Sequence, residues 1–375
     1  MPEVTLKRIV VFGGGRWARS LIQVLRGVLP EDAEILWVSR HSYEAAESWL
    51  GQHPVSNLQL VRNVSLATAG ADAVIVATTP ESHYAIVQQT QAQGLPTLCE
   101  KPIASDLAGA KKLLELSQVS GCPLGIHLEF LYANYLRDFA ELVGNSTVRC
   151  IHIDWQDPWS EERNSELKYG EFYTDIMNDQ LPHCWSVLSV MRPGETGLTV
   201  SEIRGIEAGA DVIGQFGTTA ITCRLGRRAD RRIRQVSVNH GEWILNFSQE
   251  PGVIVHEGEV VNNSWTADRP LIRSLSSFIS VAVNPAQQHN WPLSLTNCFD
   301  AVQSSLAASA TWQTFLESRI QELQRSADFD LENPEHVRLV VDRFLPEFAA
   351  FGQRILVRTL EEQTEFVRIW MSRSG

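Results

Sequence analysis

Residues 8–20 read RIVVFGGGRWARS, a short apolar run followed by a glycine-rich turn and a segment with helical spacing. Gly13, Gly15 and Ala18 fall in the spacing GxGxxA. The first glycine of this pattern permits a tight turn, the second lets the backbone approach a pyrophosphate, and the small third residue lets helix and strand pack closely. Free amides at the helix N-terminus then favour phosphate. The stretch predicts a dinucleotide-binding turn, and the alternative is a glycine-rich turn without a ligand.

The alternation of strand and helix continues over the first 127 residues. Apolar runs such as EILWVSR (34–40) and ADAVIVATTP (71–80) alternate with segments of helical spacing. This order predicts right-handed crossovers and a parallel sheet. From about residue 148 to about residue 261 strand-like runs follow one another with short turns, which indicates an antiparallel sheet. We therefore predict an α/β fold with a Rossmann domain over 1–127 and an α+β domain over 128–375 with a large, mostly antiparallel sheet.

Composition limits the classes of partner. The chain has 375 residues, a formal net charge of -12 and 44% hydrophobic residues. The acidic balance excludes a global basic field for nucleic acid, and no apolar run reaches the length of a membrane span. The six cysteines are scattered without a CxxC pair, which predicts reduced thiols and no metal site. With a strand beginning almost at the N-terminus, we expect a cytoplasmic protein without a signal peptide that acts on a small molecule.

The end of the second predicted strand bears on the cofactor. An NAD site usually carries an acid about 20 residues past the glycine loop, where it holds the ribose hydroxyls. This chain has Ser39 and Arg40 there, and its next carboxylate is Glu44. A hydroxyl and a guanidinium can bind a 2′-phosphate. We predict NADP(H), with NAD(H) as the alternative if Arg40 is a solvated surface residue.

Residues 74–104, VIVATTPESHYAIVQQTQAQGLPTLCEKPIA, carry a more specific pattern. They resemble the glucose–fructose oxidoreductase / inositol dehydrogenase family (Gfo/Idh/MocA). The residues that match are Thr78, Thr79, Pro80, His83, Gly94, Glu100, Lys101 and Pro102. The resemblance covers the first 127 residues and continues more loosely to about residue 318. It implies an NAD(P)-dependent oxidoreductase of sugars or cyclitols, and it leaves about 319–375 as an extension of packing helices.

Lys101 is the predicted acid–base residue. Ligands of open parallel sheets bind outside the carboxyl ends of the strands, where Glu100 and Lys101 fall. The resemblance gives Lys101 the proton transfer and places Glu100 around the cofactor; the alternative is a lysine that ion-pairs on a surface loop. The predicted cofactor-binding residues are Gly13, Gly15, Arg16, Trp17, Ala18, Ser39, Arg40, Thr78, Thr79, Pro80, His83, Glu100 and Lys101.

A second catalytic pair is implied by the same resemblance. Family members carry Asp-x-x-x-His on a helix of the second domain, and NDQLPHCW supplies Asp179 and His183. Spacing i, i+4 places both on one helical face. On spacing alone a structural histidine is the alternative. Pro182 predicts a break or a late start of this helix, and Asp175 competes with Asp179 for the aspartate role.

Departures from the family pattern keep the substrate open. The segment HLEFLYANY (127–135) lacks the arginine often found there and offers His127, Glu129, Tyr132 and Asn134 instead. Of these, Glu129 and Tyr132 are predicted substrate residues, beside Asp175 and Asp179. Three functions remain: a sugar or cyclitol dehydrogenase, an imine or ketone reductase of a specialised biosynthetic pathway, and a non-catalytic NADP-binding sensor or scaffold. The presence of both Lys101 and His183 argues against the third.

Two further expectations concern the second domain. The segment CRLGRRADRRIRQ contains six arginines within residues 224–234. This charge pattern favours a solvated hairpin over an anion site. The family resemblance implies a homodimer or homotetramer that forms through the second-domain sheet.

Overall fold

The computed structural model describes residues 6–62, 68–144, 147–163, 166–170, 172–206, 209–261, 269–326, 329–351, 355, 357 and 359–373. The chain forms two compact units, Met1–Asn134 with Thr266–Val302 and Tyr135–Trp265 with Gln303–Gly375. The predicted division at residue 127 does not anticipate the return of residues 266–302 to the first unit. A helix reveals its apolar face through its sequence, but not which layer covers that face.

The elements follow the predicted order of alternating and then strand-rich segments. The strands are β1 (Arg8–Phe12), β2 (Glu34–Val38), β3 (Leu58–Val61), β4 (Ala73–Val76), β5 (Thr97–Cys99), β6 (Leu124–Ile126), β7 (Cys150–Pro158), β8 (Ser160–Arg163), β9 (Glu166–Tyr169), β10 (Leu198–Ile206), β11 (Gly209–Phe216), β12 (Thr219–Ala229), β13 (Ile233–Val238), β14 (Trp243–Asn246), β15 (Val253–His256) and β16 (Glu259–Val261). The α-helices are α1 (Arg16–Val28), α2 (Tyr43–Gln52), α3 (Pro80–Ala92), α4 (Leu107–Ser120), α5 (Asn134–Val143), α6 (Ile176–Met191), α7 (Pro270–Val283), α8 (Leu295–Arg325), α9 (Pro334–Phe344) and α10 (Leu360–Arg373). Short 3-10 segments cover Glu129–Tyr132, Asn239–Gly241, Pro285–Asn290 and Leu345–Phe351.

The first unit is built on a parallel six-stranded sheet with the order β3-β2-β1-β4-β5-β6. All four residues of β4 are buried, as expected for a strand covered on both faces. This is the strand order of a dinucleotide-binding fold, in which β1 to β3 are added towards one edge of the sheet and β4 to β6 towards the other, so that the strand order reverses between β1 and β4. The prediction of an N-terminal Rossmann sheet is confirmed.

Residues 266–302 complete the first unit next to β6. The amide of Ile126 donates to the carbonyl of Leu293 at 2.9 Å, and Gly125 forms an isolated bridge with Ser294. A Cβ atom on Gly125 would lie 2.2 Å from the ring of Trp291. Only a glycine therefore leaves room for this indole on the strand.

The second unit contains an eight-stranded sheet with the order β10-β11-β12-β7-β13-β14-β15-β16. The pairing of β12 with β7 is parallel, and the other neighbouring pairs are antiparallel. The prediction of a large, mostly antiparallel sheet is confirmed. A separate pair, β8 with β9, is antiparallel.

The C-terminal helices share an apolar cluster with the rest of the second unit. The sequence places Val337, Val340, Val341, Phe344, Leu345 and Phe348 on one face. Five of these six are buried, and Phe344 packs against the cluster from its edge. Helix α9 ends at Phe344, and the 3-10 segment continues the stripe. The cluster also includes Phe172 and Ile320.

Side chains cap the starts of helices α4 and α6, and α6 departs from the sequence expectation. Helix α4 is capped by Asp106, whose carboxylate accepts from the amide of Gly109 at 2.7 Å. Helix α6 runs without interruption from Ile176 to Met191, so the predicted break or late start at Pro182 is wrong. The proline removes one backbone hydrogen bond, and a side-chain cap at the start of the helix offsets part of that loss. Among the described residues, no helix is both long and apolar enough to cross a membrane.

Candidate active site

The glycine loop lies at the carboxyl end of β1. Gly13 has φ of 131°, and a Cβ atom there would lie 2.2 Å from the carbonyl oxygen of Ala77, so the turn requires glycine. At Gly15, no described atom lies within 4 Å of the position that a Cβ would take. Helix α1 begins directly after it without a side-chain cap. Uncapped amides beside an open backbone surface fit a pyrophosphate, and the buried Ala18 packs helix α1 onto the sheet.

The end of β2 presents a cation and a buried hydroxyl. Ser39 is buried, its Oγ lies 2.3 Å from the position that a Cβ on Gly14 would take, and no described group hydrogen-bonds to it. Arg40 is exposed, and no described residue forms an ion pair with its guanidinium. The nearest acid, Glu44, accepts from Arg62 at 2.6 Å. This arrangement fits an anionic group at the adenosine end of a dinucleotide.

The segments after β4 and β5 are joined by His83. Its Nδ1 lies 2.8 Å from the carbonyl oxygen of Pro102, and its Nε2 lies 3.0 Å from that of Thr78. Burial lowers the pKa of His83 despite these two carbonyls. Both ring nitrogens face backbone, so the geometry gives His83 a supporting position instead of direct cofactor contact. Thr78 also accepts from the hydroxyl of Ser82 at 2.7 Å, and Thr79 and Pro80 begin helix α3.

Glu100, at the end of β5, is held from two sides. Its Oε1 accepts from the indole nitrogen of Trp17 at 2.5 Å and lies 2.6 Å from Nδ1 of His127. The other nitrogen of His127 lies 3.0 Å from Oγ of Ser274, whose hydroxyl donates to the carbonyl of Leu271. Because the Ser274 hydroxyl proton is used in that bond, the Ser274 oxygen can only accept from His127. Both ring nitrogens of His127 therefore act as donors. This is the pattern of an imidazolium paired with a carboxylate.

The pKa shifts of this pair agree with its geometry. Burial alone would lower the pKa of His127, but the Glu100 carboxylate outweighs burial and raises it. Burial would raise the pKa of Glu100, and the charge and hydrogen bond of His127, with Trp17 and Lys101, lower it overall. A buried ion pair therefore lies directly beside the half-buried Lys101. The sequence offers His127 as one of the polar residues that follow the last predicted Rossmann strand, and the structure pairs it with Glu100 because β6 neighbours β5.

In the second unit, helix α6 carries Asp179 and His183. The ring of His183 stacks on Trp155, with centroids 5.0 Å apart and planes 12° apart. The guanidinium of Arg234 lies 4.1 Å from the centroid of the same indole and pairs with Asp157 at 2.6 Å. The imidazole is thus fixed by an aromatic platform that a buried cation also contacts.

Asp175 serves as the N-cap of α6. Its carboxylate accepts from the amides of Met177 and Asn178 and from the hydroxyl of Ser309, and the residue is buried. These bonds commit Asp175 to the helix start. The side chain of Asp179, in contrast, is 31% exposed. Of the two competing aspartates, Asp179 is therefore the one whose side chain is accessible to solvent.

The predicted solvated arginine hairpin is wrong. Arg227 and Arg234 are buried, and five of the six arginines pair with carboxylates: Arg224 with Asp211, Arg227 with Asp179 and Glu347, Arg228 with Asp342, Arg232 with Glu161 and Arg234 with Asp157. These pairings neutralise the charges that an anion site would use. The partner carboxylates are distant in sequence, so a local charge pattern could not reveal them. Sequence reasoning thereby missed Arg227 and Glu347.

The remaining predicted substrate residues lie in the first unit. Glu129 is half-buried and Tyr132 is buried, both on the 3-10 segment that follows β6. Both residues follow the carboxyl end of β6, at the edge of the sheet where Glu100 follows β5. Their substrate contacts stay a prediction, as do those of Arg16 and Trp17 with the cofactor.

Comparison with known proteins agrees with this geometry. Residues 7–128 match an oxidoreductase family with an NAD-binding Rossmann fold. Over these residues the chain is similar to the Gfo/Idh/MocA family. Curated relatives include an inositol 2-dehydrogenase of Leifsonia xyli, 37% identical over 138 residues, which are 36% of this chain and 40% of the relative. A D-apiose dehydrogenase of Rhizobium rhizogenes is 38% identical over 64 residues, 17% of this chain and 19% of the relative.

Solved structures extend the likeness of the fold beyond residues 7–128. A UDP-N-acetylglucosamine 3-dehydrogenase from Acidithiobacillus ferrooxidans has a TM-score of 0.62 at 16% identity, over 80% of this chain and 95% of its own. A 3-ketoreductase from Actinomadura kijaniata, solved with TDP-benzene and NADP, has a TM-score of 0.64 at 13% identity, over 81% of this chain and 96% of its own. The matched part of this chain spans 19% to 46% of the length of the curated relatives.

Proposed function

We propose that this protein is a member of the Gfo/Idh/MocA family and an NAD(P)-dependent oxidoreductase of a sugar or cyclitol. The observation that carries the proposal is the Trp17–Glu100 hydrogen bond, which joins the first turn of α1 to the end of β5, directly before Lys101. A phosphate-binding turn and an acid–base lysine thereby share the carboxyl edge of one parallel sheet, where dinucleotides bind in this fold. The curated relatives that act on inositol and apiose support the substrate class.

The chemistry assigned to the chain is proton transfer and orientation. The nicotinamide, when bound, accepts or supplies the hydride. As a carbinol C–H is lost as hydride, the O–H proton passes to the amine of Lys101 and the carbon becomes a ketone; reduction reverses both transfers. Asp179 binds a substrate hydroxyl or orients His183, which is a second proton carrier. Gly13, Gly15 and Arg16 hold the pyrophosphate.

A turnover screen tests this proposal. The full chain with either cofactor is offered polyols, cyclitols and nucleotide sugars for oxidation, and keto sugars and cyclic imines for reduction, while cofactor absorbance is followed. Oxidation of a sugar or cyclitol supports the proposal. Turnover of imines or simple ketones alone would favour the reductase alternative. Cofactor binding without turnover of any compound would favour a sensor or scaffold.

We propose NADP(H) as the preferred cofactor. Exposed Arg40 and buried Ser39 stand where an NAD enzyme usually has its acid. Arg40→Ala should weaken NADPH binding by about tenfold or more, because a charge-assisted contact to phosphate contributes about 1.5–3 kcal/mol. Calorimetric titration checks this, and NADH binding serves as the internal control because NADH lacks the 2′-phosphate. Equal weakening of both cofactors, or tighter NADH binding by the wild type, contradicts it.

Assembly and location remain predictions. The family resemblance favours a homodimer or homotetramer through the sheet of the second unit, which light scattering on the purified chain can measure. All six cysteine thiols are free, which is compatible with the predicted cytoplasmic location.

A further inference from the structure

Arg227, on β12, is buried between two carboxylates from different parts of the second unit. Its Nη2 lies 3.2 Å from Oδ2 of Asp179, and its Nη1 lies 3.4 Å from Oε1 of Glu347. The guanidinium also lies 4.6 Å from the centroid of the Phe172 ring and donates to the carbonyl of Pro346. Its side chain is 1% exposed. Its position is therefore determined by these neighbours and not by solvent.

Glu347 is in turn fixed by groups that all donate to it. Its Oε2 accepts from the indole of Trp312 at 2.8 Å and from the amide of Ile176 at 3.1 Å. Burial raises the pKa of Glu347, while Arg227 and Trp312 oppose that rise. Three donors around one carboxyl group favour its ionised form. The amide of Ile176 is the first of helix α6, so Glu347 also holds the start of the helix that carries Asp179.

The three charges differ in their access to solvent. Arg227 and Glu347 are fully buried, whereas Asp179 is partly exposed. Replacing a buried ion pair with apolar residues of similar size is often neutral for stability, so stability alone does not account for such a network. An accessible carboxylate at the end of the network does account for it, because a ligand-binding group must be held in one orientation and one charge state.

We propose that Arg227 and Glu347 are positioning residues that hold the Asp179 carboxylate ionised and oriented for substrate. The inference rests on the role of Asp179 in the proposed function. Glu347 lies in the part of the chain, about 319–375, that extends past the family resemblance. That extension therefore contributes to the active site as well as to the apolar cluster. The solved structures cover 80% to 81% of this chain, which leaves about a fifth of it without a counterpart in them.

The test measures the titration of Asp179 directly, in the full chain saturated with NADPH. Aspartate carboxyl carbons are labelled with ¹³C, and the Asp179 resonance is assigned by its loss in Asp179→Asn. Among the described residues, the titratable groups on or against helix α6 include its cap Asp175, His183, Glu347 beyond Arg227, and Asp157, which accepts from Gln180 and pairs with Arg234. Removing the guanidinium should raise the midpoint of the Asp179 titration by about one to three pH units, since an adjacent arginine lowers a carboxyl pKa by that amount.

The variants separate positioning from folding. Arg227→Met alone leaves Glu347 buried without its cation, so the double variant Arg227→Met/Glu347→Gln removes both charges and keeps the shape. Arg228→Met is the matched control, because the neighbouring Arg228 pairs with Asp342 on α9 and not with Asp179. NADPH binding should persist in every variant, since its predicted contacts lie in the first unit. The control should leave the Asp179 midpoint at its wild-type value.

Failure of the positioning proposal and failure of the catalytic role of Asp179 give different results. An Asp179 midpoint that is the same in the wild type and the double variant overturns the positioning proposal, whatever the turnover. Once the screen has found a substrate, the double variant should lower kcat by about tenfold in the wild-type background and by little in Asp179→Asn, because it acts through Asp179. Wild-type turnover by Asp179→Asn would instead contradict the catalytic role of Asp179, and the titration result would be unaffected.

Discussion

At the scale of single residues, the ion pair of Glu100 and His127 lies beside Lys101. Variants that remove one or both of its charges test whether the pair is ionised. Breaking a buried pair by removing one partner costs about 3–5 kcal/mol, because the other charge remains buried without compensation. His127→Gln removes the imidazolium and leaves the carboxylate. The double variant Glu100→Gln/His127→Gln removes both charges and should recover part of the loss.

The loss of stability in His127→Gln should depend on pH. The pKa of His127 is raised above its usual 6.5, so its contribution is complete below about pH 6.5 and is lost as pH rises through the folded-state pKa. The pKa of Glu100 is lowered below its usual 4.5, so its contribution is present above about pH 4.5 and is lost as pH falls through its folded-state pKa. Urea unfolding should therefore show the largest difference from wild type between about pH 4.5 and about pH 6.5. A difference that stays constant up to about pH 9 would show that the pair is not ionised.

The positions of the candidate site residues could be predicted from sequence only where the pattern is local. The glycine loop and the Glu100-Lys101 pair stand in contiguous motifs, and the structure places both at one edge of a sheet. The arginines of residues 224–234 were misjudged because their partner carboxylates lie up to 120 residues away. Local charge density indicates a solvated surface unless distant partners are known.

At the scale of elements, Gly125 controls how the return segment packs on the first sheet. Gly125→Ala places a methyl group where the Trp291 ring lies. Overpacking of this kind costs about 1–3 kcal/mol. Gly27→Ala is the matched control, because Gly27 is exposed within α1 and no described atom lies within 4 Å of its Cβ position. That control should be neutral or stabilising by about 0.5–1 kcal/mol.

Chemical unfolding of both alanine variants checks this packing. The expected result is a lower urea midpoint for Gly125→Ala and an unchanged or higher midpoint for Gly27→Ala. Equal midpoints for the two variants would mean that Trp291 moves aside without cost, and that the indole does not hold residues 266–302 against β6.

The types of the elements could be predicted because the spacing of apolar residues follows the buried face of a strand or helix. The β4 run and the stripe of α9 both follow the pattern of their buried faces. The continuous helix α6 was not predicted, because Pro182 is a helix breaker in isolation. The Asp175 cap and the Glu347 contact at the start of that helix come from its sequence context and from its tertiary context, respectively. Tertiary contacts of this kind override local propensity.

At the scale of the whole molecule, the chain combines a dinucleotide-binding unit with a sheet unit that carries its own catalytic candidates. The parallel pairing of the first sheet could be predicted from the alternation of strands and helices. The segments that make up each compact unit could not be predicted in this way, because residues 266–302 rejoin the first unit after an intervening sheet. Helical spacing predicts an amphipathic helix but is silent on which sheet it covers.

The central claim is that Lys101 moves the proton in a hydride-transfer reaction. Lys101→Met keeps the bulk of the side chain and removes the ammonium. The variant should still bind NADPH, because the predicted phosphate contacts lie at the glycine loop and Arg40. Lys111→Met is the matched control, since Lys111 is exposed on α4.

The decisive measurement is kcat of Lys101→Met on a substrate that the wild type turns over, with the NADPH dissociation constant measured in parallel. The account predicts a kcat lower by about 10²–10⁴-fold, the usual contribution of a positioned acid–base group, with cofactor affinity retained and with the Lys111→Met control at the wild-type rate. Wild-type kcat in Lys101→Met would contradict the account and leave the lysine a structural neighbour of the Glu100–His127 pair.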